Sequence, residues 1–162
     1  MQTDHIRSIE ISAAVITISS TRTRETDLSG KTIIDLLSQA SIPVTHYAIV
    51  PDRVEEIQNE VKKALPLAGC LILDGGTGLT HDDCTIEAVT PLLDKVIDGF
   101  GELFRWKSFS EIGTSAMLSR TIAGTIDGHA IFCIPGSRAA VTLAVETLII
   151  PEIRHILSHA TK

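Results

Sequence analysis

Cysteine is scarce in this 162-residue chain: Cys70, Cys84 and Cys133 make an odd count with no C-x-x-C spacing. That pattern excludes a disulfide framework and a zinc-ribbon or zinc-finger site. Cys70 and Cys133 lie inside apolar runs and read as small buried hydrophobes, and free thiols suit a reducing compartment. Long apolar runs are missing too, since no segment approaches the roughly 18–20 residues a membrane span requires. The first ten residues, MQTDHIRSIE, hold no apolar stretch that could serve as the core of a signal peptide. The expectation is a cytoplasmic protein, free of the membrane, with residues 1–10 a flexible N-terminal extension. Positive charge is also in short supply: 14 Lys plus Arg stand against 20 Asp plus Glu, giving −6 and a pI near 5.4. A protein that follows a phosphate backbone shows the opposite excess, so nucleic acid is not an expected partner. Between Lys63 and Lys95 there is no Lys or Arg, while Asp74, Asp82, Asp83, Glu87 and Asp94 all fall there.

What is present supports one hydrophobic core. Hydrophobic residues make up 44% and charged residues 21%, a balance against disorder, and the length suits a single domain over 1–162. Ile11 to Ile18 is a β-branched apolar run of the kind buried on both faces of a sheet, followed by a polar loop from Ser19 to Gly30. Ile33, Ile34, Leu36, Leu37 and Ala40 recur at helical spacing in a helix that Ser29 or Gly30 would begin. Pro43 to Val50 reads as a strand, Arg53 to Leu65 as an amphipathic helix, and Ala68 to Leu73 as a third strand. A helix should start near Thr85, another should run from Glu111 to Arg120, and a last one from Arg138 to Ile150. Thr121 to Ile126 and Ala130 to Ile134, separated by Asp127-Gly128, carry a hairpin signal. The predicted fold is α/β: a single three-layer domain, mostly parallel sheet with helices on both faces and an antiparallel edge hairpin. Ligands of such sheets sit in loops at the carboxyl ends of the strands.

Two such loops carry chemistry. Gly75-Gly76-Thr77-Gly78 follows the third strand, where glycine lets backbone N–H groups approach a phosphate and Thr77 adds a hydroxyl. A tight strand-to-helix turn would use the same residues. His81-Asp82-Asp83-Cys84 comes next, and a carboxylate beside an anion-binding loop is a usual way to hold Mg²⁺ against phosphates; Asp83 is the candidate. Helix N-capping ahead of Thr85 is its other reading. At Pro135-Gly136-Ser137 the same alternatives recur, with Ser137 either capping the next helix or donating to an anion. Two such junctions at one sheet edge would flank a single crevice and favour a nucleotide or phosphorylated ligand.

The ordered set of motifs resembles a known family. GGTG with Asp83 and Thr85, Ser20-Thr21-Arg22 with Asp27, Ser29 and Gly30, Gly99 to Arg105 (GFGELFR), Met117 to Arg120 (MLSR) and Pro135-Gly136-Ser137 are similar to the MoaB/Mog family over roughly Ile11 to Leu157. These are the molybdenum-cofactor biosynthesis B proteins and molybdopterin adenylyltransferases, and GFGELFR points to the B branch. The resemblance implies a molybdopterin-binding fold, a homo-oligomer (trimer or hexamer), and binding of molybdopterin with Mg-ATP to give adenylyl-molybdopterin and pyrophosphate. It implies that Asp83 holds Mg²⁺, with Asp82 a possible second ligand, and that Gly75 to Gly78 cradle phosphate. Gly136 and Ser137 would contact the pterin or its phosphate, and Thr21, Ser29 and Gly30 would line the other side. Three positions depart from the family pattern: Ser20 replaces a common Asp, Asp82 a common Arg, and Arg138-Ala139 a frequent Pro-Lys. Asp82 puts an anion where a phosphate-attracting cation is usual, which keeps open a non-catalytic molybdopterin-binding or assembly paralogue. A flavodoxin-like nucleotide-binding regulator is a third reading.

Four of the six aromatic residues, Phe100, Phe104, Trp106 and Phe109, fall within ten residues, which serves either core packing or assembly. The segment Ala139 to Ile150 is apolar nearly all round and suits a helix buried in the domain or between subunits. His5, His46, His129, His155 and His159 are scattered and read as surface or capping residues. Only His81 has chemical company.

Overall fold

In a computed structural model, which describes residues 9–162, the first apolar run forms β1 (Ala13–Ile18), buried at all six positions. Of the expected N-terminal extension, residues 1–8 lie outside the described residues, and Ile9 already packs against the core. Helix α1 (Leu28–Gln39) begins slightly earlier than the sequence suggests. The Asp27 carboxylate accepts the Gly30 N–H and so caps it, displacing Ser29 and Gly30 into the first turn. After β2 (Val44–Val50), α2 (Val54–Ala64) buries Ile57, Val61 and Ala64, with Glu55 and Glu56 in its first turn and Lys62 and Lys63 in its last. That charge order complements the helix dipole. Strand β3 (Cys70–Asp74) is buried throughout and leads to a short α3 (Thr85–Val89).

The second half departs further from expectation. A two-residue strand, β4 (Lys95–Val96), precedes α4 (Asp98–Ile112). Gly113, at φ +67°, ends that helix, and Gly113–Leu118 is a 3₁₀ segment rather than part of the expected helix from Glu111 to Arg120. Strands β5 (Ile122–Ile126) and β6 (His129–Ile134) form the expected hairpin. Asp127 and Gly128 both have positive φ, the conformation a tight right-twisted hairpin needs. The last helical run also extends beyond Ile150: α5 (Arg138–Ala144) passes through a π-helical stretch, Val145–Ile149, into α6 (Ile150–Ala160). Pro151 would break an α-helix interior for want of an N–H, but it sits in the first turn of α6, where that donor is dispensable.

The six strands lie in the order β2-β1-β3-β6-β5-β4. β2, β1, β3 and β6 are mutually parallel; beyond them β5 pairs antiparallel with β6, and β4 antiparallel with β5. One face packs Val15, Ile72 and Phe132 against α1, α4 and the C-terminal helices. The other packs Ile16, Leu71 and Ile131 against α2 and α3. The carboxyl ends of the four parallel strands therefore open at one edge, where residues 19–27, 51–53, 75–84 and 135–137 meet. None of the described helices is long and apolar enough to cross a membrane.

Candidate functional site

The floor of this crevice is made of touching backbone. Gly75 has φ +101°, and a Cβ there would stand 2.4 Å from the Ile18 carbonyl oxygen. A Cβ on Gly136 would come within 3.2 Å of the Gly75 Cα. Only glycine allows the β3 and β6 loops to approach this closely. The Gly75 N–H donates to the Ile134 carbonyl at 2.9 Å and is therefore not available to a phosphate, which corrects its expected part in the cradle. The N–H groups of Gly76, Thr77 and Gly78 donate to nothing among the described residues. Thr85, buried at the start of α3, fixes one end of the loop: its hydroxyl donates to the Gly75 carbonyl at 2.8 Å and its N–H to the Gly76 carbonyl at 3.0 Å. Arg120 fixes the other end, donating its N–H to the Thr77 carbonyl at 3.1 Å and its Nε to the Gly78 carbonyl at 2.9 Å. Its guanidinium pairs with Glu87 through both terminal nitrogens. Arg105 in turn donates to the carbonyls of Ser119 and Thr121, 3.2 Å each, on either side of Arg120. The GFGELFR and MLSR segments thus brace the glycine loop.

Two carboxylates border it. Asp83 Oδ2 accepts from the N–H and the hydroxyl of Thr80, at 3.0 and 2.8 Å, closing a turn across the loop. Asp83 does not cap α3, whose N-cap is Cys84 without a side-chain bond. Asp52, at the end of β2, accepts from the N–H and hydroxyl of Ser20 at 3.1 and 2.9 Å, and its Oδ1 stands 3.4 Å from where a Gly76 Cβ would lie. Sequence reasoning missed Asp52, although an acid just past the carboxyl end of a parallel strand is the signal that could have found it. Asp82 is 89% exposed beside an equally open His81, at 3.5 Å. No group of three or more His, Cys, Asp or Glu converges among the described residues. Mg²⁺ asks for less than that, one or two carboxylates with phosphate oxygens and water completing the shell. Asp83 and Asp52, each with one oxygen free of hydrogen bonds among the described residues, fit that donor set.

Behind the crevice lies a buried polar network. Thr17 Oγ1 is 2.7 Å from Asp27 Oδ2 and 2.8 Å from Asp74 Oδ1, and all three side chains are fully buried. One hydroxyl hydrogen serves one acceptor, so the second contact needs a proton on one carboxyl. Burial pushes Asp74 up to about 6, helped by the charge of Asp27 and opposed by hydrogen bonds from Ser29 and Thr17 and by the nearby Arg22. Burial also works to raise Asp27, but hydrogen bonds from Tyr47, Thr17, the Gly30 N–H and Ser29 outweigh it and hold that carboxyl below its ordinary value. Asp74 is therefore the carboxyl that takes up the proton as pH falls below about 6, and Asp27 stays the anion. Ser29 Oγ donates to Asp74 at 2.6 Å and accepts from Arg22 at 2.6 Å, while a second Arg22 nitrogen reaches the Gly136 carbonyl at 3.2 Å. Ser29 and Gly30 are thus buried supports of the crevice wall rather than its open surface. Thr21 is exposed beside Ser19, and Ser137 accepts the Ala140 N–H at 3.2 Å as the cap of α5.

Comparison with known proteins places this arrangement. Residues 14–155 match the family described as a probable molybdopterin binding domain. The chain is 47% identical over 157 residues to the molybdenum cofactor biosynthesis protein B of Staphylococcus carnosus, covering 94% of this chain and 92% of that protein. It is 51% identical over 155 residues to the protein of the same name from Bacillus cereus, covering 91% and 89%. The chain belongs to the molybdenum cofactor biosynthesis protein B family. A crystal structure bearing that family name superimposes with a TM-score of 0.90 at 49% identity, over 94% of this chain and 96% of the other. The tungsten cofactor synthesizing protein of Pyrococcus furiosus does so with 0.85 at 38% identity, over 94% and 98%. In this chain Gly76, Thr77, Gly78 and Asp83 share one loop, and Gly136 lies against its start. The fold adds Asp52, the contacts of Arg22 with Ser29 and Gly136, and the Asp27–Thr17–Asp74 network.

Proposed function

We propose that this protein binds molybdopterin and Mg-ATP in the crevice and transfers the adenylyl group, giving adenylyl-molybdopterin and pyrophosphate. The observation that carries this reading is the row of uncommitted N–H donors on Gly76, Thr77 and Gly78 lying beside the carboxylates of Asp83 and Asp52. An oxygen of the molybdopterin phosphate, already ionised at neutral pH, attacks the α-phosphorus of ATP. The bond from that phosphorus to the pyrophosphate oxygen breaks, and pyrophosphate leaves with the electron pair. No general base is required, so positioning and charge stabilisation do the work. Bound Mg²⁺ supplies charge neutralisation on the phosphates, with Asp83 and Asp52 as the residues that would hold it. The three N–H groups receive a phosphate oxygen, and Gly136 and Ser137 face the pterin side. Asp82, open to solvent, offers its charge through water and is screened accordingly. Three unpaired cysteines suit the reducing cytoplasm in which we place this activity.

Assembly is part of the same proposal. Phe100 and Phe104 are core residues, but Leu103, Trp106, Phe109 and Ile112 of α4, with Met117 and Leu118, are roughly half or more exposed. Such a patch suits burial against further copies in a trimer or hexamer. Light scattering at micromolar protein should give that mass, and Trp106→Glu should lower it; a monomeric parent would refute it.

The activity is tested by incubating the protein with ATP, Mg²⁺ and molybdopterin and measuring pyrophosphate. Release above a denatured control is expected, abolished by Asp83→Ala and raised by Asp82→Arg. Molybdopterin binding without pyrophosphate would favour the non-catalytic reading, for which Asp82 is the specific observation.

A further inference from the structure

The C-terminal helix carries a constellation remote from the crevice. His155 and His159, four residues apart on α6, share one face, with ring centroids 4.8 Å apart and their Nε2 atoms 3.1 Å apart. Two nitrogens at that spacing, each about 2.0–2.1 Å from a common ion, would subtend about 95–100° at it, between the square and tetrahedral angles. Glu152 Oε2 lies 3.1 Å from His155 Nδ1. A carboxylate only accepts, so Nδ1 carries the hydrogen and Nε2 keeps its lone pair. A carboxylate behind a ligating imidazole is the support that metal-bound histidines ordinarily have. His159 also sits in the last turn of α6, where the helix dipole favours a cation. The pair borders an open cavity of about 720 Å³ beside β4, with Asp94, Lys95 and Lys162 also on its wall.

We propose that His155 and His159 form a two-nitrogen chelate for a borderline divalent transition-metal ion, of the class of Cu²⁺, Ni²⁺ or Zn²⁺. Water fills the remaining positions at the cavity mouth. With only two protein ligands the ion is exchangeable rather than structural, and the protein folds without it. The site is independent of the adenylyl-transfer reading and revises the plain surface role that spacing gave these two histidines.

The test is a titration of the metal-stripped full chain with Ni²⁺ or Cu²⁺ against a chromophoric chelator. One site is expected, weakened at least tenfold by His155→Ala and by His159→Ala, and about tenfold by Glu152→Gln. His81→Ala, which alters a fully exposed histidine remote from α6, should leave it unchanged. Paramagnetic resonance of the copper-loaded protein should show coupling to two nitrogens that the double histidine variant loses. All the altered side chains are exposed, so thermal melting of the apo variants should match the parent. Affinity within twofold of the parent in either histidine variant, or a copper spectrum unchanged in the double variant, overturns the proposal.

Discussion

Replacing Asp74 by Asn removes a charge while leaving the hydrogen-bonding pattern of the protonated acid intact. The amide nitrogen can donate to Thr17 Oγ1, as the carboxyl proton does, and the amide oxygen can accept from Ser29, so the substitution isolates ionisation from packing. The Asp74 carboxyl titrates near 6 in the folded protein against 3.8 when unperturbed. Between those values the folded state holds the proton that the unfolded chain has released, so stability falls as pH rises through this window and is level above it. At about 1.4 kcal/mol per unit, the difference amounts to about 3 kcal/mol. Asp27 runs the other way: its lowered carboxyl contributes stability above its unfolded value that is lost only as pH drops beneath it. The interval from pH 4 to 6 therefore belongs to Asp74. Urea unfolding of both proteins at one fixed concentration, from pH 4 to 8, should show nearly equal stability at the acid end. By pH 7 the Asn variant should be the more stable by about 3 kcal/mol. Parallel pH profiles, or a variant less stable at pH 7, would refute the assignment of the proton to Asp74.

Gly75→Ala forces a side chain into positive φ and against the Ile18 carbonyl, and should cost about 2–4 kcal/mol in urea unfolding; a loss under 1 kcal/mol would mean that the two loops can part. Arg120→Met removes a partly exposed ion pair and one loop hydrogen bond. It should cost only about 1 kcal/mol of global stability while hydrogen exchange at the bonded amides of the loop, Thr80, Asp83 and residue 120 itself, rises at least tenfold. Equal exchange in parent and variant would show that the loop does not depend on this brace. Phe104→Ala, at a fully buried ring on the inner face of α4, should cost about 3–5 kcal/mol by thermal or urea unfolding, and a near-neutral result would contradict its place in the core.

The parts of the fold legible in the sequence are those whose signal is local. β1 and β3 announce themselves as unbroken apolar runs because both faces are covered, and Asp127-Gly128 marks the hairpin because few other pairs adopt two positive φ angles. β4 has two exposed residues, Lys95 and Val96, too few for any periodicity, and it exists only because β5 offers it a ladder. Gly113 in positive φ ends α4 inside the stretch that spacing made one helix, and Pro151 follows a π-helical stretch through which the last helical run continues past Ile150. In the site, the glycines and Asp83 were visible as a contiguous loop. Asp52 and the pairing of Asp27 with Asp74 were not. Thr17 and Asp74 are 57 positions apart, and the register of β1 against β3 brings them together.

The contact between Gly75 and Gly136 bears on the entropy of binding. A mobile glycine loop that orders around an anion gives up about 1–2 kcal/mol of backbone freedom per residue, and much of its hydrogen-bond energy goes to offset that loss. Here the loop is already held at Ile134, at Thr85 and at Arg120, with the neighbouring loop pressed against it. An anion docking on Gly76, Thr77 and Gly78 meets donors whose freedom was surrendered when the chain folded, so its affinity reflects the contacts themselves.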